Sequence, residues 1–433
     1  MKPAKSNTSY FREHPILAIL LVAILPRVVI SILYGHATIY PDSEGYIDLA
    51  KRLVDFNLNG YEGQRSPGYP LLLAIANLSI TLTLILQSVI GIINLYLIYR
   101  LRILLNISKK LSTILTIGIG LYIPAIFFEF AILSETLTLL FVSLLFYLTA
   151  KILKSDKPQN KRYFSLALVI TFLVLIKPFY IFVAPLIFIL LYCEKKRTSK
   201  LLPTLILSVI VFLGWSTVNL TNTGHFTSTT FYGFNLAQNC VHFAENTTNE
   251  YKDIGETYAR YREANDTTDL EVAMTIWQAY PELQVQTGLS FPDLSKKLFD
   301  YSIATIKKNP IAYAKQVFIS WKDFWKTSLY WEYDQFAVEG SNVVLKYIAY
   351  AQRVLLQLIK IAFILLTPIC IIRYIRRREI SFQLIAIVII LSASLLQALM
   401  TYGTNSRFSF PFEMIMVICV VLELQLRLLK QKS

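Results

Sequence analysis

Residues 40–46 read Tyr-Pro-Asp-Ser-Glu-Gly-Tyr and open a polar stretch just after the first apolar run. Carboxylates at the edge of a membrane helix are costly unless they face water or take part in chemistry. Asp42 and Glu44 are therefore the candidate catalytic pair, each able to act as a general base. The same stretch continues to Arg65-Ser66-Pro67-Gly68-Tyr69-Pro70, which brings an arginine and a Pro/Gly turn close by. Further isolated charges border apolar runs at Glu135, Lys177 and Arg407. Arg65, Lys177 and Arg407 are candidate anion binders. An acceptor hydroxyl attacking a sugar carbon needs a base, and a departing lipid phosphate needs cations to stabilise its developing charge. Plainer readings stand beside this one. The Asp42 stretch reads equally as a solvated loop, Arg407 as a headgroup contact, Lys177 as a snorkelling lysine and Glu135 as a structural partner of either cation.

The elements that must position these groups follow from composition. Of the 433 residues, 55% are hydrophobic and 16% charged, whereas soluble domains are roughly 45–50% apolar and about 25% charged. The apolar residues come in long runs, which places the chain among polytopic membrane proteins. A net charge of +14 would suggest nucleic acid in a soluble protein. Here the Lys and Arg residues lie in short loops between apolar runs, so they carry topology instead, and no nucleic-acid partner is expected. Four cysteines and four histidines are scattered without CxxC or metal spacing, so neither a disulfide framework nor a metal site is expected from them.

The periodicity predicts an all-α fold of about ten transmembrane helices. They lie near residues 15–34, 82–105, 111–128, 131–150, two short pieces within 163–192 parted by Lys177-Pro178, then 201–220, one within 343–372, 380–402 and 408–426. The alternative for 163–192 is a re-entrant hairpin. Lys2, Lys5 and Arg12 precede the first run as in a signal sequence, but no A-x-A site follows, so it reads as an uncleaved helix. Amphipathic helices are expected at 46–56 and 69–78. Three parts result: an N-terminal transmembrane module, 1–220, with its first outer loop at 35–81; an extracytoplasmic domain of mixed structure with amphipathic helices, 221–342; and a C-terminal transmembrane module, 343–433. Ten crossings put the basic clusters on one side, so both termini are expected in the cytoplasm. Asp42, Glu44, Arg65, Glu129, Glu135, Lys177, the 221–342 domain and Arg407 then share the outer side, most simply of a cell membrane. Arg27 and Lys360 are the main charges inside the spans.

Four stretches in this order resemble the GT-C superfamily of polytopic glycosyltransferases, the type that includes protein O-mannosyltransferases and lipid A aminoarabinose transferases. They are Pro41-Asp42-Ser43-Glu44-Gly45-Tyr46 with Leu49-Ala50 behind it, Arg65-Ser66-Pro67-Gly68-Tyr69-Pro70, Leu133-Ser134-Glu135-Thr136, and Asn405-Ser406-Arg407-Phe408 with Pro411. The resemblance implies a polyprenyl-phosphate sugar as donor, a lipid, glycan or protein outside the cytoplasm as acceptor, and Asp42 as the catalytic residue. Tyr46 and Glu135, within the matching stretches, join Arg65, Lys177 and Arg407 as substrate-binding candidates. The family often has Asp-Glu adjacent, whereas this chain has Asp-Ser-Glu. Some relatives bind a divalent metal in this region, but no ligand set is assigned here. The rival readings are a polymerase or ligase of lipid-linked glycans, and a transporter or flippase, which would need charges within the spans.

Overall fold

The computed structural model describes residues 15–194, 199–264 and 268–430. The expected basic clusters at Lys2, Lys5 and Arg12, at Lys195, Lys196 and Arg197, and at Lys432, as well as His14, lie outside the described residues. In a bilayer every backbone N–H and C=O must be satisfied within the chain, so apolar runs become helices. The order is α1 Pro15–Tyr34, α2 Pro41–Val54, α3 Gly68–Ile75, α4 Ile80–Leu104, α5 Lys109–Gly120, α6 Ile123–Glu129, α7 Glu135–Leu153, α8 Asn160–Ile176, α9 Val183–Glu194 and α10 Leu202–Thr223. Then come α11 Tyr232–Gln238, α12 Lys252–Ala264, α13 Asp269–Thr287, α14 Phe291–Lys308, α15 Pro310–Phe324, α16 Ser341–Arg377, α17 Phe382–Met400, α18 Asn405–Ser409 and α19 Glu413–Lys430. The protein is all-helical among the described residues, apart from one isolated bridge between Thr38 and Ala131.

Among the described residues seven helices, α18 being merged with α19, are long and apolar enough to cross a membrane. The run near 111–128, expected to be one helix, is instead α5 and α6, bent by 56°. Pro124 opens α6 and has no N–H with which to continue α5. Counting the bent pair as one span gives eight. The remaining two expected spans are α8, 17 residues long, and the apolar segment Pro178–Glu194. Helices α1, α4, α10 and α16 turn large apolar side chains outward, such as Leu25, Ile85, Ile210 and Leu355, which is the surface of a multi-pass membrane protein.

A large core joins α3, α4, α7, α8, α9, α16, α17 and α19. Residues 231–306 pack a second core of their own around Phe234, Tyr258, Ile276 and Leu298, which takes in Tyr402 from just after α17. A third cluster pins the segment carrying Trp331 and Phe336 against Tyr34, Phe127 and Phe130.

Arg27 and Lys360, the main charges expected inside the spans, are both paired. Arg27 reaches Glu129 through Nε at 2.7 Å and Nη2 at 2.5 Å. Gly91 makes room for this pair, since a Cβ there would stand 1.9 Å from Glu129 Oε1. Glu129, expected on the outer face, is thus buried at the end of α6. A lone arginine in hydrocarbon needs a partner more than the carboxylate needs water. Lys360 on α16 is fully buried and meets Glu413 at 2.8 Å. Glu413 accepts a second bond from Tyr122 at 2.9 Å.

Candidate active site

Asp42 was expected in a loop; it lies instead in the first turn of α2. Pro41 at the first helical position and two acids in the first turn favour a helix start. The Tyr40 N–H donates to Ser43 Oγ at 2.9 Å, and that hydroxyl donates to the Ile132 carbonyl at 2.9 Å. With the Thr38–Ala131 bridge, this seats the start of α2 on the segment that leads into Glu135.

Four other elements bring charges to the same place. Arg65 sits on a loop whose backbone is bonded both ways to Tyr61 Oη, at 2.5 and 2.6 Å. Thr229 and Thr230 hold that loop from just before α11 through the Gln64 and Glu62 carbonyls. Gly68 then packs the turn directly on the end of α8, where a Cβ would meet the Ile176 backbone at 2.6 Å. Lys177 ends α8 in an extended conformation, as the residue before a proline prefers. Glu135 opens α7 with no exposure. Arg407 rides on α18, which Asn405 Nδ2 fastens to the Ser320 and Thr401 carbonyls.

The result is one chain of ion pairs. Arg65 Nη2 donates to Asp42 Oδ1 at 2.7 Å, and Arg407 Nη1 donates to Asp42 Oδ2 at 2.5 Å. Arg407 Nε donates to Glu135 Oε1 at 2.5 Å, and Lys177 Nζ donates to the same oxygen at 2.8 Å. Three cations thus face two carboxylates. Each cation also lies on an aromatic ring: Arg65 between Tyr46 at 4.7 Å and Phe231 at 4.5 Å, Lys177 over Phe408 at 4.7 Å, Arg407 over Tyr330 at 5.7 Å. The cations keep only 11–12% side-chain exposure and Glu135 none, whereas Asp42 keeps 35%. Asp42 is therefore the group that solvent or a substrate can reach. Burial would raise its pKa, but Arg65 and then Arg407 outweigh that and hold the carboxyl well below the usual carboxylate range. The Arg65 Nε is buried without a partner, so the cluster retains donor capacity.

Of the seven residues singled out in the sequence, six meet here. Tyr46 contributes by lying under Arg65 and approaching Ser134 Oγ at 3.3 Å. Glu44 does not join: two residues beyond Asp42 it points from another side of α2 and is exposed. Tyr40, Phe231 and Tyr330 line the cluster unforeseen, because aromatic residues outside a motif carry no mark of their role. A divalent ion does not fit these residues. Both oxygens of Asp42 are held by guanidinium groups, and no group of three His, Cys, Asp or Glu side chains gathers among the described residues.

The profile of a protein family described as "Domain of unknown function (DUF8201)" matches residues 56–283, more than half of the chain. The chain belongs to this family. The DUF8201 match includes Arg65, Glu135 and Lys177, while Asp42 and Arg407 lie outside it. No curated protein matches the chain by sequence. Among solved structures, the archaeal oligosaccharyltransferase AglB from Archaeoglobus fulgidus, in complex with an inhibitory peptide and a dolichol-phosphate, superposes with a TM-score of 0.50 at 12% identity. The match covers 96% of this chain and 51% of that one, so this DUF8201 member spans about half the length of that protein. The likeness is one of fold, a polytopic helical membrane fold.

Proposed function

We propose that the protein is a membrane glycosyltransferase of GT-C type that takes a sugar from a polyprenyl-phosphate donor and gives it to an extracytoplasmic acceptor. The observation that carries this reading is Asp42, accessible and ionised, set in a cluster with an excess of cations at one end of the helical bundle. In the reaction the bond from the sugar's anomeric carbon to the phosphate oxygen breaks, its electron pair leaving with the phosphate. The acceptor oxygen forms the new bond and gives up its proton. Arg65, Arg407 and Lys177 stabilise the charge growing on the phosphate. Asp42 accepts a hydrogen bond from the acceptor hydroxyl, orients it and takes or passes on its proton. The AglB structure, solved with a dolichol-phosphate, supports a lipid-linked donor. The transporter reading rested on Arg27 and Lys360, and both are neutralised in buried pairs, which favours the enzyme.

The direct test is single-turnover transfer from a radiolabelled polyprenyl-phosphate sugar by the purified protein, with mass spectrometry of envelope lipids, glycans and glycoproteins from cells with and without it. Arg407→Ala should weaken donor use by about tenfold or more, because one charge-assisted contact to the phosphate is lost. Unchanged donor kinetics would remove Arg407 from the phosphate site. Orientation is tested separately. A cysteine introduced in the 221–342 domain should react with an impermeant thiol reagent in intact cells, and one near Lys157 should not. The reverse pattern would overturn the topology.

A further inference from the structure

Between the first turns of α16 and the segment from Lys326 to Tyr333 lies a cavity of about 670 Å³, within the size range of small-molecule sites. It borders the Asp42 cluster. Tyr40, Tyr330 and Ser406 line it; the Tyr40 and Tyr330 rings meet at 5.6 Å, and Tyr330 lies under Arg407. Two aromatic rings are thus what separates the cavity from the reactive carboxylate.

Its charge is one-sided. Lys346 and Arg353 line the cavity from α16, seven residues apart, which puts them on one helix face about 10 Å from each other. Neither takes part in an ion pair among the described residues. The Lys346 ammonium lies over the Tyr333 ring at 4.6 Å. Of the other charged residues in the lining, Lys326 meets Asp323 at 2.6 Å, and beneath them Lys360 pairs with Glu413 while fixing the Lys326 carbonyl at 2.8 Å. The neighbouring face of α16 at this level is apolar and exposed, with Val344, Tyr347 and Val354 at 60%, 70% and 63%. An apolar helix surface therefore runs directly beside two cations that have no ion pair among the described residues.

We propose that this cavity holds the negatively charged headgroup of the acceptor, an anionic membrane lipid, with Lys346 and Arg353 as its anion contacts and its tail along α16. The word acceptor rests on the glycosyltransferase reading; the anion site does not. In that reading the donor's phosphate has its own cations at Arg65, Arg407 and Lys177. A second set two rings away suits a substrate that brings a charge of its own. Tyr40 and Tyr330 then lie where the acceptor's hydroxyl must pass to reach Asp42.

The test uses the purified full chain and dioleoyl phosphatidic acid as headgroup probe, with dioleoyl phosphatidylcholine as the neutral-headgroup control, read by native mass spectrometry. The parent should retain the phosphatidic acid at least about tenfold more strongly. Lys346→Ala and Arg353→Ala should each lose about tenfold, and Lys346→Arg should keep the binding. Equal retention of the two lipids, or full retention in both alanine variants, overturns the site. If undecaprenyl phosphate displaces the probe and donor use falls in the same variants, the cavity belongs to the donor's carrier and the acceptor assignment is wrong. If the headgroup binds as expected while no variant or parent transfers sugar, the glycosyltransferase reading fails and the anion site stands.

Discussion

Asp42→Asn is expected to lower sugar transfer by about 10²–10⁴-fold, the range for loss of a positioned acid–base group, with the protein still folded. The amide keeps the size of the side chain and an oxygen for Arg65 or Arg407, but it cannot take a proton and offers one acceptor fewer. Glu44→Gln is the control and should stay within a few-fold, since Glu44 is exposed and outside the ion-pair chain. The opposite ranking would make Glu44 the reactive carboxylate and Asp42 a structural one. The pH profile separates the base from the orienting role. The two guanidinium groups depress the Asp42 pKa, so its carboxylate form, and the stability its ion pairs contribute, persist above the unfolded-state value of about 3.9. Both are lost only as pH falls through the depressed folded value. Activity limited by Asp42 should therefore be flat on the acid side down to about pH 4. Arg65→Gln removes the largest lowering influence, so the acid limb should move to higher pH. An Arg65→Gln enzyme with reduced activity and an unmoved acid limb would show that Asp42 does not titrate in the rate-limiting step.

Much of this cluster was legible in the sequence for a physical reason. In a chain that is 16% charged, an isolated acid or base beside an apolar run has few ways to be satisfied, so such groups seek one another. The topology read from the basic clusters placed Asp42, Arg65, Glu135, Lys177 and Arg407 together on the opposite side. It could not say which carboxylate takes which cation, because the pairing of Asp42 with Arg407 spans 365 residues and depends on how α18 packs. It also missed Arg27 with Glu129, a pair that depends on the 56° bend before α6 and the missing side chain at Gly91. The start of α2 was readable from Pro41 and its acids, but polarity was taken for a loop. Lys346 and Arg353 were visible as charges at the head of an apolar run; their spacing of two turns was the unused signal.

Lys360→Met should destabilise the protein by about 3–5 kcal/mol, the cost of stranding one partner of a buried ion pair. Glu413 would keep only the Tyr122 hydroxyl among its present partners, inside a helix bundle where water does not replace the lost ammonium. The double variant Lys360→Met with Glu413→Leu removes both charges at similar volume and should recover most of that loss. Recovery should be incomplete, because Lys360 also donates to the Lys326 carbonyl at 2.8 Å and to Ser409 Oγ at 3.1 Å. Denaturation can be followed by a thiol-reactive dye, since Cys240, Cys370 and Cys419 are free and buried, with exposed Cys193 as the constant background. The double variant also asks what the pair does for the reaction. Ser409 closes α18, the helix that presents Arg407, so Lys360 reaches the Asp42 cluster through that one hydroxyl. A double variant with parental stability and parental donor kinetics would make the pair a matter of helix assembly alone. Restored stability with weakened donor use would show that Lys360 sets the position of Arg407. A single Lys360→Met variant as stable as the parent would show that the Lys360–Glu413 contact does not hold this interface together.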